Sequence, residues 1–211
     1  MMPEKKKNLI TALCAVTLAL TLSVLSVADY FAAANRLRDD VLRLHILANS
    51  DGEADQAVKL KVRDRILSET AELFENADSP ADAAEKIKPL LPAIAETAVS
   101  VLRENGMDYG AAATLAREYF NTRAYGDVTL PAGSYLALRV VLGEGKGHNW
   151  WCVMFPPLCI PAVSEPPAEA VFSPEGLQVV SPAPRFQVRF RLVEIYEEIR
   201  EQIRERKDRE K

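Results

Sequence analysis

The sequence predicts an α+β fold: a mostly antiparallel sheet of about four strands packed by a helical hairpin, with an N-terminal signal or anchor helix and a C-terminal amphipathic helix. Three observations carry that prediction. Apolar residues alternate with period two in several separated stretches, the pattern of half-buried strands. Between the first and second of these, two stretches repeat their apolar residues every three or four positions, as helices do. The chain opens with a basic cluster and an uncharged apolar run, and it closes with a charged stretch carrying one apolar stripe. A chain of 211 residues, 48% hydrophobic and 27% charged, suits one domain of ordinary size with appendages. The expected organisation is a signal peptide or membrane anchor over 1–28, a connector over 29–40, a globular domain over 41–160, a Pro-rich linker over 161–184 and an amphipathic helix over 185–211.

The first segment is justified by Lys5, Lys6 and Lys7, followed by an apolar run over 9–27 without a charge. Ser26-Val27-Ala28 then places small residues before Asp29, and 32–34 offers a second cleavage site. This is the anatomy of a secretory signal. The run also approaches the roughly 20 residues of a membrane-spanning helix, so an uncleaved anchor stays open. Either reading places the rest of the chain outside the cytoplasm, touching membrane only through its N-terminus. The formal charge is −4, and losing the first 28 residues makes the remainder more acidic. That excludes nucleic acid as a partner, since such binding rests on Lys and Arg neutralising phosphates.

Residues 41–47 (VLRLHIL) alternate Arg43 and His45 against Leu42, Leu44 and Ile46, and so predict the first strand. Asn49-Ser50-Asp51-Gly52 is a turn. Ser50 and Glu53 have capping-box spacing, so a helix is predicted from 53 to about 75 on the stripe Val58, Val62, Ile66, Leu67, Leu73 and Phe74. Ser79-Pro80 opens a second helix, its apolar face running from Ile87 to Leu102, with Pro89 and Pro92 expected to kink or break it. Residues 114–122 (TLAREYFNT) read as a strand, and Tyr125-Gly126-Asp127 and 130–133 as turns. Residues 135–142 (YLALRVVL) fit a strand or one helical face, and their valines favour the strand. A last strand is predicted over 150–155, ended by Pro156-Pro157. In the C-terminal segment Leu192, Ile195, Tyr196, Ile199 and Ile203 form one helical stripe.

Residues 143–159 (GEGKGHNWWCVMFPPLC) concentrate glycines, both tryptophans, His148 and two of the three cysteines. In an oxidising compartment Cys152 and Cys159 form an even pair, which favours a disulfide over two free thiols. The segment reads as a stapled recognition loop: glycines allow close backbone approach, and tryptophans are common anchors of binding surfaces. Catalysis fits poorly. His45 and His148 are the only histidines, and neither lies in a nucleophile–base–carboxylate pattern. No zinc spacing occurs, and the Gly143, Gly145 and Gly147 run precedes tryptophans instead of a helix, so neither metal nor cofactor is expected. The reading is a binding protein, not an enzyme.

Three blocks carry a family resemblance: LRLHILANSDGEADQAVKLKVRDRIL (42–67), AREYFNTRAYGDVTLPAGSYLALRVVLGEGKGHNWWCVMFPPLC (116–159) and VRFRLVEIYEEI (188–199). They resemble the stage II sporulation protein R family. One departure is Gly52 after Asp51, where a Ser-Pro or similar pair is expected. The resemblance implies a signalling protein made in the forespore and exported into the space between the forespore and mother-cell membranes. There it activates a membrane-embedded aspartic protease, which processes the precursor of an early mother-cell sigma factor. Partner-binding candidates on this reading are Arg43, His45, Asn49, Asp51, Lys59, Arg63, Asp64, Tyr125 and Asp127. From the loop come Glu144, Lys146, His148, Asn149, Trp150 and Trp151. A secreted cell-wall hydrolase and a structural septum component are the alternatives.

Overall fold

The computed structural model describes residues 3–125 and 128–156, together with Ile195 and Ile199. Its elements are α1 (Glu4–Asp39), β1 (Leu42–Leu47), α2 (Glu53–Glu75), α3 (Pro80–Ile87), α4 (Leu91–Glu104), β2 (Ala111–Phe120), β3 (Arg123–Tyr125), β4 (Val128–Leu130), β5 (Gly133–Leu142) and β6 (Asn149–Phe155). A 3₁₀ turn over Lys88–Leu90 joins α3 to α4. β2, β5, β1 and β6 form one sheet in that order, and β3 and β4 form a separate small hairpin.

The sheet has the four strands expected and is mixed: two of its three pairings are antiparallel, and the central one is parallel. β2 with β5 and β1 with β6 are antiparallel, but β1 and β5 run parallel, with Leu44 opposite Leu138 and His45 opposite Arg139. The chain passes through three helices, β2 and the β3–β4 hairpin between β1 and β5, a crossover long enough to return in the same direction. Alternation in a sequence assigns the two faces of a strand but neither its neighbour nor its direction.

Central placement also explains why β1 is buried on both faces despite its polar alternation. Leu42, Leu44 and Ile46 face the helices with Leu138, Val140 and Leu142 of β5, and all six are fully buried. Val58, Val62 and Ile66 of α2 and Ile94, Ala98, Val101 and Leu102 of α4 close this core. Each fully buried Leu or Ile here contributes about 1.5–3 kcal/mol by leaving water.

The predicted second helix is broken where its prolines fall, giving α3, the 3₁₀ turn and α4. Ser79 caps α3 by accepting from Asp82 N at 3.1 Å. The capping box at the start of α2 does not form: the N-cap is Gly52, and Ser50 Oγ donates to Asp55 instead. The connector expected over 29–40 continues α1 as far as Asp39. Ala34, Leu37 and Arg38 of its last turns are buried, and Arg38 Nη2 donates to Ala132 O at 2.5 Å. Toward its start, Leu13, Val16, Leu18, Leu20, Leu22 and Val24 are exposed. Among the described residues no helix is long and apolar enough to cross a membrane. The Pro-rich linker and the C-terminal helix lie outside the described residues, apart from Ile195 and Ile199, which are exposed and helical.

Candidate functional site

β5 ends at Leu142 and β6 begins at Asn149, yet β1 lies between them in the sheet. The connection over 143–148 is therefore not a hairpin: it crosses the end of β1, where the chain leaves as Ala48–Asp51. That crossing decides its hydrogen bonds. Lys146 N donates to Asn49 O at 3.2 Å, Gly147 N to Ala48 O at 2.9 Å and Gly143 N to Gly110 O at 2.8 Å. Glu144 N donates to Asn49 Oδ1 at 2.9 Å, His148 N to Asp51 Oδ1 at 2.6 Å, and the His148 ring meets the same carboxylate through Nδ1. Lys59 Nζ, reaching from α2, donates to His148 O at 2.9 Å. Two glycines are sterically required. Gly143 holds φ at 56° beside Asn49, and a Cβ on Gly147 would run into the Ser50 carbonyl.

Asp55 holds the turn that carries this loop. Its Oδ2 accepts from Asn49 Nδ2 at 2.9 Å and Ser50 Oγ at 2.5 Å, and its Oδ1 accepts from Tyr109 OH at 2.5 Å. Burial works to raise its pKa, but the Ser50, Tyr109 and Asn49 hydrogen bonds outweigh it and hold the carboxyl below its usual range. Tyr109 is pushed up, first by burial and then by its bond to that carboxylate. Burial lowers Lys59.

The opposite, outer face of the sheet carries a second cluster. Arg43 is fully buried there, its guanidinium 3.9 Å from the Phe120 ring centroid and 4.8 Å from that of Tyr135, and it donates to Tyr125 OH. Burial lowers its pKa and pushes the Tyr135 phenol up to about 12. Two of its donors, Nε and Nη1, are buried with no hydrogen-bond partner. One register step along, His45 stacks on Trp151 at 3.7 Å and bonds Glu118 Oε2 through Nδ1 at 2.6 Å. Glu118 Oε1 lies 3.1 Å from Arg139 Nε. Trp151, His45 and Arg139 lie opposite one another in register, and Glu118, opposite Tyr135 on β2, reaches both His45 and Arg139.

The structure brings the sequence candidates into three groups. Asn49, Asp51, Lys59, Glu144, Lys146, His148 and Asn149 gather at the loop. Arg63 lies 4.3 Å over the Trp150 ring and pairs with Asp64 at 2.6 Å on the α2 side. Arg43, His45, Tyr125 and Trp151 belong to the outer face. The two tryptophans, adjacent on β6, project to opposite faces and are each half-buried. Arg43 has no exposed surface, so it holds the β3–β4 hairpin through Tyr125 and is not itself displayed. Asp127 and Cys159 lie outside the described residues, and Cys152 is buried in β6. Sequence reasoning missed Asp55, Tyr109, Glu118 and Arg139. Asp55 shares a face with Lys59 four residues on, the one local signal it offered. Among the described residues no group of three His, Cys, Asp or Glu is placed to hold a metal.

The model of the stage II sporulation protein R family matches residues 38–165, more than half of the chain, and spans both clusters. The chain belongs to that family. It is 38% identical over 121 residues to the stage II sporulation protein R of Bacillus subtilis (strain 168), a match covering 57% of this chain and 54% of the relative. The aligned region is thus about half of that protein's length. No solved structure matches. The sporulation protein R match begins in the last turn of α1 and takes in the whole described sheet and the helices on it.

Proposed function

We propose that this chain is an exported sporulation signal. It binds and activates a membrane-embedded aspartic protease in the space between forespore and mother cell, and so triggers processing of an early mother-cell sigma factor precursor. The observation that carries the reading is the loop over 143–148. It is exposed, with the His148 side chain 78% accessible and that of Lys146 75% accessible, yet its backbone is tied down at six donors. A loop ordered before binding loses less entropy on association, which suits a recognition element. Export is supported by the basic cluster and the apolar run at the N-terminus. It is supported as well by Cys152 being disulfide-bonded while Cys14 is free and exposed, since the cysteine count leaves Cys159 as its proposed partner. Among the described residues no nucleophile–base pair is assembled around either histidine: Asp51 engages the His148 ring, and Glu118 and Trp151 engage that of His45.

The test replaces Trp150 and Trp151 with Ala, singly, and follows sigma-factor processing and secretion in sporulating cells. Secretion is expected to persist in both variants and processing to be lost in at least one. Normal processing in both would remove the tryptophan-bearing strand from the interface.

A further inference from the structure

We infer that the uncovered half of the outer sheet face, centred on Arg139, docks a carboxylate-bearing segment of the partner. This rests on the signalling reading above and adds the chemistry of what is bound. The sheet has two unlike faces. One is closed by α2 and α4. The other divides across its length. Tyr135, Ala137, Phe120, Arg43 and Val153 are buried at the end where α1 terminates and the β3–β4 hairpin sits. Toward the 143–148 loop Thr114 and Ala112 are exposed, and Leu47 and Val141 are half-exposed.

Water alone explains a face of this kind when its exposed groups are polar and paired with one another. Here that holds for Thr114 and for the Arg139–Glu118 pair but not for the rest. Leu47, Val141 and Trp151 supply apolar surface, and the charges do not balance. Glu118, opposite Tyr135 on β2, is the acid that meets this row, and both its oxygens are engaged, by His45 and by Arg139 Nε. Its side chain is 18% exposed, against 41% for Arg139, so the acid is turned in and the cation out. Among the described residues Glu118 is the ion-pair partner of Arg139, held through Nε. Arg123 stands at the rim of the same face, exposed, with its guanidinium 5.9 Å over the Trp151 ring. His45, only 6% exposed, keeps Nε2 buried and without a partner in the same row. Two outward guanidiniums on an apolar strip, with their acid consumed below, complement a segment that presents Asp or Glu between apolar residues. The chain's own net charge of −4 makes this local excess of cations a feature of the face, not of the whole surface.

The test uses the full chain in sporulating cells, with a photo-crosslinking residue at Thr114 on this face or at Leu60, which is exposed on α2. Each is combined with wild-type Arg139, Arg139→Glu or Arg139→Lys, and crosslinked peptides are identified by mass spectrometry. The expected product joins Thr114 to an acidic segment of the protease. Arg139→Glu reduces it at least tenfold, and Arg139→Lys largely restores it. The same product on another protein, with the same charge dependence, would keep this docking surface and overturn the protease as its target. A protease crosslink from Leu60 alone would keep the signalling reading and overturn this one. A crosslink from Thr114 to residues 157–211 of the same chain, or a partner crosslink indifferent to Arg139→Glu, would also overturn it. Arg123→Glu, at a more exposed site, repeats the charge test if Arg139→Glu fails to accumulate.

Discussion

Replacing Arg43 with Met tests whether a fully buried cation can be dispensable to the fold. The favourable side is a charged hydrogen bond to Tyr125, about 1.5–3 kcal/mol, and cation–π contacts with Phe120 and Tyr135 of about 0.5–2 kcal/mol each. Against these stand Nε and Nη1, buried and unpartnered, at about 1–3 kcal/mol each. Removing the guanidinium from water costs several kcal/mol more. The two sides are of similar size, and no carboxylate contacts the group among the described residues. Met fills much of the same volume and keeps favourable contact with the three rings. Arg43→Met is therefore expected to leave stability unchanged or raise it by about 1–4 kcal/mol, as seen when buried ions are replaced by apolar residues. Arg43→Ala leaves a cavity and is expected to cost about 2–5 kcal/mol, as large-to-small core changes do. Urea unfolding at neutral pH reads both as midpoint shifts at constant slope. A loss above about 2 kcal/mol in Arg43→Met at unchanged slope would show that the unpaired donors were counted wrongly.

Asp55→Ala leaves the donors of Asn49, Ser50 and Tyr109 without their acceptor and is expected to lower stability by about 2–4 kcal/mol. Because the folded carboxyl is held below its unfolded value, its contribution is complete above about pH 4 and fades as pH falls through the folded pKa. Acid unfolding curves should therefore be shallower in Asp55→Asn than in the wild type. Gly147→Ala drives a Cβ into the Ser50 carbonyl. It is expected to release the loop, seen as faster amide exchange at His148 and Glu144, while the midpoint of unfolding moves by less than about 2 kcal/mol. Removal of the signal after Ala28 leaves Ala34, which is fully buried, within the folded domain. The intact mass of the exported chain should then correspond to a start at Asp29.

What the sequence disclosed was local. The alternation of 41–47, the proline break after Ile87 and the Ser79 cap are consequences of a residue and its near neighbours, and each is found in the fold. Strand partners were not legible, because pairing β1 with β5 depends on how a long helical crossover returns. Of the β3–β4 hairpin the sequence marks only the turn at Tyr125-Gly126-Asp127, since three-residue strands carry too few alternations to register. Ser50 shows a subtler limit. Its spacing to Glu53 is that of a capping box, but Asp55 offers its hydroxyl a better acceptor, and Gly52 takes the cap position. The candidate residues were found individually, some in the glycine-rich loop and the others along 43–127. Their division between two faces and one strand end came only with the register of β6.

That register gives Trp150 and Trp151 their meaning. Neighbours on a strand point to opposite faces, so one tryptophan meets Arg63 from α2 and the next meets His45 from β1. β6 therefore ties the helix layer to the outer face, and it begins at the residue that follows the clasped loop. A displacement of the loop acts on both rings at once, through a strand with little slack between them. The two alanine substitutions should consequently differ. Trp151→Ala removes the stack on His45 and uncovers the outer face, whereas Trp150→Ala is felt on the α2 side. If the partner reads the outer face, Trp151→Ala costs the larger loss of processing, and the reverse order would place the contact on α2.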